Sequence, residues 1–445
     1  MFAAGTFNLN AGTTFSGPGT ISLNSSGTLS VNAAVSTPAA TRLTFLAGTL
    51  GGTGTLTTNG QLDWSGGLMT GAGVTTVNGP FNLSGLVAIN SNRTLNNTST
   101  ATWTSSAGLG IRTGTGSIIN NSGTWDAQTG DGAAIVNYYL GAAPTFNNSG
   151  TFRKSAGAGT TSVNIAFANT GTVDVQTGTL NVSGNYAQTA GITKLTGGAL
   201  TSTTNIAIQG GTLAGTGTVT GPVVVSGSGA LAPGLSPGTV NVVGNYTQQN
   251  PSGAFNVEIG GTAPGTQFDN ANVSGTGAVA NLAGALNVSL FNAFVPTPGD
   301  SFTILTYPSR VGTFSTVNVP AITCQGWTVN YGPTSTVLTT YAVPGEVAGL
   351  NFAANKVDLQ WISLAGGPTR TYDVLRGIVR EFPVGTGPGE TCLAQSISGT
   401  STPDSTTPLS GKGFWYLTRE RAVGCGIGTY GIASNGTERI GTACP

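Results

Sequence analysis

Histidine is absent from this chain of 445 residues, and charged residues make up only 7% of it, against roughly 25% in an average soluble protein. The lack of histidine removes the commonest general base, the commonest metal ligand and the usual partner of a catalytic serine. Four cysteines are present, none in a CxxC pair, so neither a zinc motif nor a redox motif is indicated. We therefore expect no cofactor and no bound metal.

The few charges are balanced. Lys and Arg together number 15, as do Asp and Glu, so the formal net charge is zero. No basic surface for nucleic acid or an anionic membrane follows from this balance. No run of about 18 apolar residues occurs, so the sequence predicts no transmembrane segment. Disordered chains combine low hydrophobicity with high net charge, whereas 38% of this chain is hydrophobic, so we expect it to fold.

Short strand-like segments separated by Gly, Asn and Ser fill the first 345 residues. Glycine, with 71 residues in the chain, interrupts the helical windows, and the abundant β-branched residues favour strands. Asn120–Trp125 reappears as Asn147–Phe152, and Gly48–Thr57 nearly repeats as Gly211–Thr220. Gly-Thr-apolar motifs also lie 21 residues apart three times, starting at residues 27 and 48, 150 and 171, and 217 and 238.

A period near 20 with several short strands in each period predicts an all-β chain folded as a right-handed parallel β-helix, a β-solenoid. The alternation within Gly171–Gly178 places Val173 and Val175 on one inward face. Thr and Asn can stack as ladders between coils, so charges are not needed along the shaft. We expect the shaft over residues 1–250 and its β-rich end or cap over residues 251–343.

The later part of the shaft has a pattern of its own. Leu231–Thr239 reads Leu-x-Pro-Gly-x-Ser-Pro-Gly-Thr, and longer strands such as Gly253–Ile259 follow it. With the Gly-Thr-Leu-x-Gly-Thr-Gly-Thr repeats, residues 40–340 resemble the passenger regions of bacterial autotransporters and related exported β-helix proteins. The resemblance implies an extracellular or cell-surface location. Met1–Phe7 already has the character of a repeat strand, so we expect an export signal peptide to be missing from this chain.

The composition changes near Pro344, after which more charged side chains occur than in all the residues before it. Lys356–Trp361, Thr371–Gly377 and Gly413–Arg419 alternate as strands, and six or seven strands in about 100 residues predict an immunoglobulin-like β-sandwich over residues 346–445. The pattern resembles fibronectin type III modules of bacterial exported proteins. The predicted core consists of Trp361, Tyr372, Leu375, Trp415 and Leu417.

Two classes of function fit this organisation. The first is a structural shaft or adhesin outside the cell, without catalysis, whose partners are surface glycans or other surface proteins. The alternative is a carbohydrate-binding or carbohydrate-active β-helix protein of the polysaccharide lyase or glycosidase type. Such enzymes need clustered carboxylates, or calcium ligands with a basic residue.

The candidates for a glycan site are few. Asp126 and Asp131 are the only shaft acids close in sequence, and Arg112, Arg153 and Lys154 are expected in neighbouring coils. The simpler interpretation is that both acids are turn residues facing solvent. A passive glycan-binding face could also be lined by aromatic rings. Its candidates are Trp64, Trp103 and Trp125.

The cysteines suggest one disulfide. Asn435-Gly436 is a strong signal for a two-residue hairpin, and a turn centred there places Ser434 opposite Thr437. Cys444 then lies close to Cys425, so we predict a Cys425–Cys444 disulfide, favoured by an oxidising extracellular setting. The alternative is a set of free, buried thiols.

Overall fold

Every regular element described in this protein is a β-strand. The computed structural model describes residues 1–106, 108–249, 251–362, 369–381, 384–385, 387–434, 436–441 and 443–444. In this part of the chain no helix is long and apolar enough to cross a membrane. The chain forms two compact units. The first comprises Met1–Phe291, Thr303–Asn318 and Tyr331–Ser335, and the second comprises Asn292–Phe302, Val319–Asn330 and Thr336–Pro445.

Short strands, mostly of three to five residues, follow one another along the shaft. Its first half contains β1 (Thr6–Leu9), β2 (Gly19–Leu23), β3 (Thr28–Val31), β4 (Val35–Thr37), β5 (Thr41–Phe45), β6 (Thr49–Gly51), β7 (Thr55–Thr58), β8 (Leu62–Trp64), β9 (Leu68–Met69), β10 (Val74–Val77), β11 (Phe81–Leu83), β12 (Val87–Ile89), β13 (Thr94–Asn97), β14 (Thr100–Trp103), β15 (Gly110–Thr113), β16 (Ile118–Asn121), β17 (Thr124–Ala127), β18 (Ala133–Asn137), β19 (Thr145–Asn148) and β20 (Thr151–Lys154).

The strands lengthen towards the end of the shaft. They are β21 (Thr160–Asn164), β22 (Ala166–Asn169), β23 (Thr172–Val175), β24 (Thr179–Asn181), β25 (Tyr186–Gln188), β26 (Ile192–Leu195), β27 (Ala199–Thr201), β28 (Ile206–Gly215), β29 (Gly217–Thr220), β30 (Val223–Pro233), β31 (Thr239–Val243), β32 (Tyr246–Gln248), β33 (Ala254–Ile259), β34 (Asn270–Ser274), β35 (Ala280–Leu282), β36 (Ala285–Leu290), β37 (Ser301–Thr306), β38 (Arg310–Gly312) and β39 (Thr316–Asn318). Two further strands, β40 (Gln325–Tyr331) and β41 (Ser335–Ala342), complete this part of the chain.

The strands stack as a parallel β-solenoid of about 12 turns, as the sequence predicted. Over most of the shaft each coil contributes one strand to each of three faces, so a strand pairs in parallel with the strand three positions later. β28 and β30 each run across two faces, so β26 pairs with β28 and β27 pairs with β29. Face 1 contains β12, β15, β18 and β21, face 2 contains β13, β16, β19 and β22, and face 3 contains β14, β17, β20 and β23. The predicted 21-residue period equals one coil where Thr28 pairs with Thr49 and where Thr151 pairs with Thr172.

Inward-facing side chains fill the shaft. Val173 and Val175 are both fully buried, which confirms the predicted inward face of β23. Aromatic rings stack from coil to coil in the same interior. The ring centroids of Phe146 and Phe167 lie 5.1 Å apart, and those of Phe167 and Tyr186 lie 5.6 Å apart, both nearly parallel. The core is thus a set of columns that run along the solenoid.

The repeated Asn-Asn-Ser-Gly sequence has a direct structural cause. The second Asn of each repeat points inward, and its amide nitrogen donates to the amide oxygen of the equivalent residue in the next coil. This buried ladder runs through Asn97, Asn121, Asn148, Asn169 and Gln188, with N···O distances of 2.7, 2.7, 2.7 and 3.1 Å.

The first Asn of each repeat forms an outer ladder in the same way, since Asn147 donates to Asn120 and Asn120 to Asn96, each at 2.9 Å. The glycine of the repeat follows from the tight stacking at this corner. A Cβ on Gly150 would collide with the carbonyl oxygen of Gly123 in the previous coil.

The last part of the chain forms two antiparallel sheets. Its strands are β42 (Ala348–Phe352), β43 (Asp358–Ile362), β44 (Arg370–Ile378), β45 (Thr391–Ile397), β46 (Ser401–Pro403), β47 (Phe414–Ala422) and β48 (Gly426–Ile427). One sheet has the order β42-β43-β46 and the other β45-β44-β47-β48.

The predicted core of this domain is largely confirmed. Trp361, Tyr372 and Leu375 are buried, and the ring centroids of Trp361 and Tyr372 lie 5.4 Å apart. Trp415 and Leu417 are partly buried and pack against the cluster formed around Leu375.

Replacing Val173 by Asp should destabilise the solenoid by roughly 3–5 kcal/mol, because the carboxylate would be buried between Phe152 and Thr193 without a cation. Val175 is a less clear target, since it pairs with the buried Lys154. The control is Thr172→Asp on the outward side of the same strand, with an expected loss below about 1 kcal/mol. Urea unfolding measures both, and equal losses would contradict the inward assignment.

Asn148→Leu should cost about 2–4 kcal/mol, because it leaves the buried Oδ1 of Asn169 without its donor and takes the shortest of three acceptors from Asn121 Nδ2, which keeps the carbonyls of Gly123 and Thr151. The neighbouring Asn147→Leu removes a member of the outer ladder, where water replaces the lost hydrogen bonds, so a loss below about 1 kcal/mol is expected. The same unfolding measurement compares the pair. A larger loss for Asn147→Leu would show that the inner ladder is not the stabilising one.

Candidate functional site

The three shaft tryptophans predicted to contact glycans are buried. Trp64, Trp103 and Trp125 each have 0% of their surface exposed, so the prediction of a tryptophan-lined glycan face is wrong. Trp64 stacks on Phe45 inside the shaft, with ring centroids 5.9 Å apart. The burial of Trp64 could have been predicted from the sequence, because side chains alternate along a strand and Trp64 therefore faces the side opposite to Asp63.

Asp126 lies on the outward side of β17, where it is held by a network. Arg153 Nη2 lies 2.8 Å from its Oδ2, Gln128 Nε2 lies 2.9 Å from the same oxygen, and Ser155 Oγ donates to Oδ1. Burial alone would raise the pKa of the Asp126 carboxyl, but the hydrogen bonds from Arg153, Ser155 and Gln128 outweigh it and lower the pKa below its usual value. An acid with these partners stays ionised and cannot donate a proton near neutral pH.

The ion pair belongs to a row of alternating charges on face 3. In register, Asp126 pairs with Arg153, Arg153 with Asp174 and Asp174 with Lys194. Lys194 Nζ lies 3.2 Å from Asp174 Oδ2. Because neighbouring parallel strands are only about 4.8 Å apart, opposite charges stabilise such a row and like charges would destabilise it. The predicted proximity of Arg153 to Asp126 therefore has a structural role.

Asp131 lies in a different position. It is exposed just before β18, and its Oδ1 accepts a hydrogen bond of 2.9 Å from the backbone amide of Thr160. Among the described residues no hydrogen bond or shared partner joins it to Asp126. The two acids are not brought together as a pair of catalytic carboxylates would be.

Two cations are buried inside the shaft. Lys154 Nζ donates to the carbonyl oxygens of Thr129, Ala156 and Gly157 at 2.9–3.2 Å, and burial lowers its pKa. Arg93 is also fully buried, which lowers its pKa to about 10, and its Nη2 lies 2.8 Å from Thr75 Oγ1. Neither forms a salt bridge in the described part of the chain, although the charge of Asp131 partly opposes the lowering of the Lys154 pKa. Both cations donate hydrogen bonds to backbone carbonyl oxygens at the corners of the coils, as the amides of the buried ladder also do.

A cavity of about 550 Å³ near the end of the shaft holds two acids that sequence reasoning did not single out. Asp269 Oδ1 accepts the amide of Gly238 at 2.7 Å, and its Oδ2 accepts the amide of Glu258 at 2.9 Å. Burial raises the pKa of Asp269 to about 6. Ser236 hydrogen-bonds to the Glu258 carboxylate. Since both oxygens of Asp269 bind backbone amides, this carboxylate braces the Leu231–Thr239 segment against β33.

The disulfide pairing predicted from the hairpin is wrong. Cys425 pairs with Cys324, with Cα atoms 5.2 Å apart, and Cys444 pairs with Cys392, with Cα atoms 4.9 Å apart. No free cysteine remains, so the alternative of free thiols is wrong as well.

The physical reason lies in the turn. Asn435 itself is outside the described residues, but Ile432 bridges Glu438, one residue away from the predicted register. In the described part of the chain no strand pairing extends this bridge towards Cys444. Instead Cys444 is buried beside β44 and β45, where its sulfur lies 3.5 Å from the carbonyl oxygen of Val374.

The C-terminal domain has its own buried charges. Asp373, fully buried, accepts hydrogen bonds from Arg419 Nε at 2.8 Å and from Arg421 Nε at 2.6 Å. Arg376 and Tyr416 bind Asp404 in the same domain, at 3.0 and 2.9 Å. These paired groups stabilise the sheet formed by β44 and β47.

Neither a protein-family model nor a curated protein matches this chain.

Peptide mapping of the unreduced protein should find the Cys324–Cys425 and Cys392–Cys444 links. Two variants sharpen the test. The Cys392→Ser variant frees Cys444, which is fully buried and should resist alkylation in the native state. The Cys324→Ser variant frees Cys425, which is partly exposed and should react readily. A Cys425–Cys444 peptide, or equal alkylation rates in the two variants, would contradict this pairing.

Proposed function

We propose that this chain is a structural, adhesin-like shaft protein of the cell surface or extracellular space, without catalysis. The stack of about 12 turns supports this proposal, because inward side chains such as the amide ladder and the stacked rings serve coil-to-coil contacts. At about 4.8 Å per coil the solenoid is about 60 Å long. A shaft of this kind can hold a binding surface away from the structure that carries it.

One observation carries the proposal: each of the seven shaft acids already has a partner. Catalysis by carboxylates needs a pair of acids that flank the substrate, one of them able to exchange a proton, and an acid held by a cation or by backbone amides is less available for this role. The partners are Arg42 for Asp63, Arg153 for Asp126, the Thr160 amide for Asp131, Lys194 for Asp174, Ser236 for Glu258, the Gly238 and Glu258 amides for Asp269, and the Thr297 amide for Asp300.

The location and the C-terminal domain are part of the same proposal. Two disulfides favour an oxidising compartment, and the repeats resemble exported autotransporter passengers. The seven C-terminal strands in a three-stranded and a four-stranded antiparallel sheet support a fibronectin type III-like spacer or anchor.

Protease treatment of intact producing cells should remove the shaft. Protection until lysis would contradict surface display.

The absence of catalysis is tested directly. Purified protein incubated with a panel of acidic and neutral polysaccharides should release neither new reducing ends nor unsaturated products. Asp126→Ala, Asp131→Ala and Glu258→Gln are the matched variants, because these acids are the nearest approach to an enzymatic site. If the unmodified protein depolymerises a polysaccharide and one of these variants does not, the result would favour the alternative of a carbohydrate-active β-helix enzyme.

A further inference from the structure

One loop enlarges the shaft between faces 1 and 2. Residues 138–144 separate β18 from β19, whereas Ile165 alone separates the equivalent strands β21 and β22 of the next coil. The loop begins with three large exposed side chains, Tyr138 (53% exposed), Tyr139 (39%) and Leu140 (68%). The two tyrosine rings meet edge to face, with centroids 5.1 Å apart. Other exposed hydrophobic side chains of the shaft, such as Leu46 and Leu235, are far apart in sequence, whereas these three are consecutive.

Arg112 stands beside this loop on the outward side of β15. Its guanidinium carbon lies 3.9 Å from the centroid of the Tyr138 ring. The other shaft arginines have partners, namely Asp63 for Arg42, Thr75 for Arg93, Asp126 for Arg153 and the Gly312 carbonyl for Arg310. Arg112 has no ion pair and no hydrogen bond within the described part of the chain.

The stacked geometry prepares this guanidinium for an anion. One face of the guanidinium is occupied by the Tyr138 ring, which holds the long side chain in place and reduces the entropy lost on binding. The N–H groups point outward in the guanidinium plane, and two of them match the two oxygens of a carboxylate. An arginine in this state binds a carboxylate without first breaking another interaction.

Arg112 and Tyr138 also line a concave site of about 190 Å³. Its lining combines small residues, among them Gly110, Gly132 and Ala134, with the apolar Leu109 and Val136. A Cβ on Gly110 would collide with the carbonyl of Ala134, so β15 and β18 can stack this closely only with glycine at this position. The volume lies below the roughly 300–1,000 Å³ of pockets for drug-sized ligands, so the site fits a single sugar ring.

We propose that Arg112 and Tyr138 form a binding site for a uronic acid unit of an acidic polysaccharide, with Tyr139 packed edge to face against Tyr138 beside it. The sugar carboxylate pairs with the in-plane N–H groups of Arg112, and the apolar C–H face of the sugar ring packs on the exposed Tyr138. The rest of the polysaccharide extends along face 1 in solvent. This site deepens the proposed adhesin-like function, on which it rests, by naming the class of its partner.

The test is calorimetric titration of the full chain with trigalacturonic acid and with its methyl ester, which keeps the sugar and removes the charge. The acid should bind, and the ester should bind at least about tenfold more weakly. Arg112→Gln should weaken binding of the acid at least about tenfold, and Tyr138→Leu should weaken it as well. Arg42→Gln, an exposed arginine on face 3, is the matched control and should leave binding unchanged. Added salt should weaken the acid complex.

Arg112 faces outward, so Arg112→Gln should melt at the temperature of the unmodified protein. If Arg112→Gln melts at a lower temperature, the Arg112→Lys variant tests the site instead. Lysine keeps the positive charge but lacks the planar pair of donors, so this variant should still bind the acid more weakly. Equal binding of acid and ester, loss of binding in Arg42→Gln, or no binding of the acid by the unmodified protein would overturn the site. Cleavage of the trimer would instead overturn the non-catalytic shaft, so the two failures are distinguishable.

Discussion

The spacing of about 4.8 Å between parallel coils is the constraint on which this structure depends. The nearest neighbour of an inward or outward side chain is the equivalent side chain of the next coil. A residue type can therefore recur at the same position in successive coils only if two copies of its side chain attract each other. Amides do so through the ladder of Asn97, Asn121 and Asn148, and aromatic rings do so by stacking. Like charges do not. The low content of charged residues and the alternating row from Asp126 to Lys194 are two results of the same rule.

The parts of the fold that repeat locally could be predicted from the sequence. The parallel solenoid, the inward pair Val173 and Val175 and the core of the C-terminal domain follow from periodicity alone. The face of the solenoid on which a given repeat lies could not be predicted in this way. Gly48–Thr57 nearly matches Gly211–Thr220, yet the first begins on face 1 and the second on face 3. The same Gly-Thr-apolar sequence serves any corner, because each corner imposes the same close approach of backbones.

Contacts between distant residues could not be predicted. Local hairpin logic paired Cys425 with Cys444, but the partner of Cys425 is Cys324, which is 101 residues away. Arg112 and Tyr138 meet because of the register between β15 and β18, and that register depends on turn lengths that vary from coil to coil. The glycan residues chosen from composition, such as Trp64, belonged to the core because tryptophan is the largest side chain available to fill it.

The two disulfides also decide how the C-terminal domain would respond to tension. The Cys324–Cys425 bond closes a covalent loop around most of the domain, including β42 to β47, and Cys392–Cys444 ties the last residues back into that loop. The covalent path between Cys324 and Cys444 is therefore short, because it consists of the first disulfide and the segment after Cys425. The second disulfide passes part of a load applied at Cys444 to β45, which pairs with β44 in the four-stranded sheet, so this sheet shares the load. Tension between these two cysteines can therefore lengthen the C-terminal domain by no more than the segment after Cys425, because the loop from Cys324 to Cys425 is closed and cannot be pulled out straight.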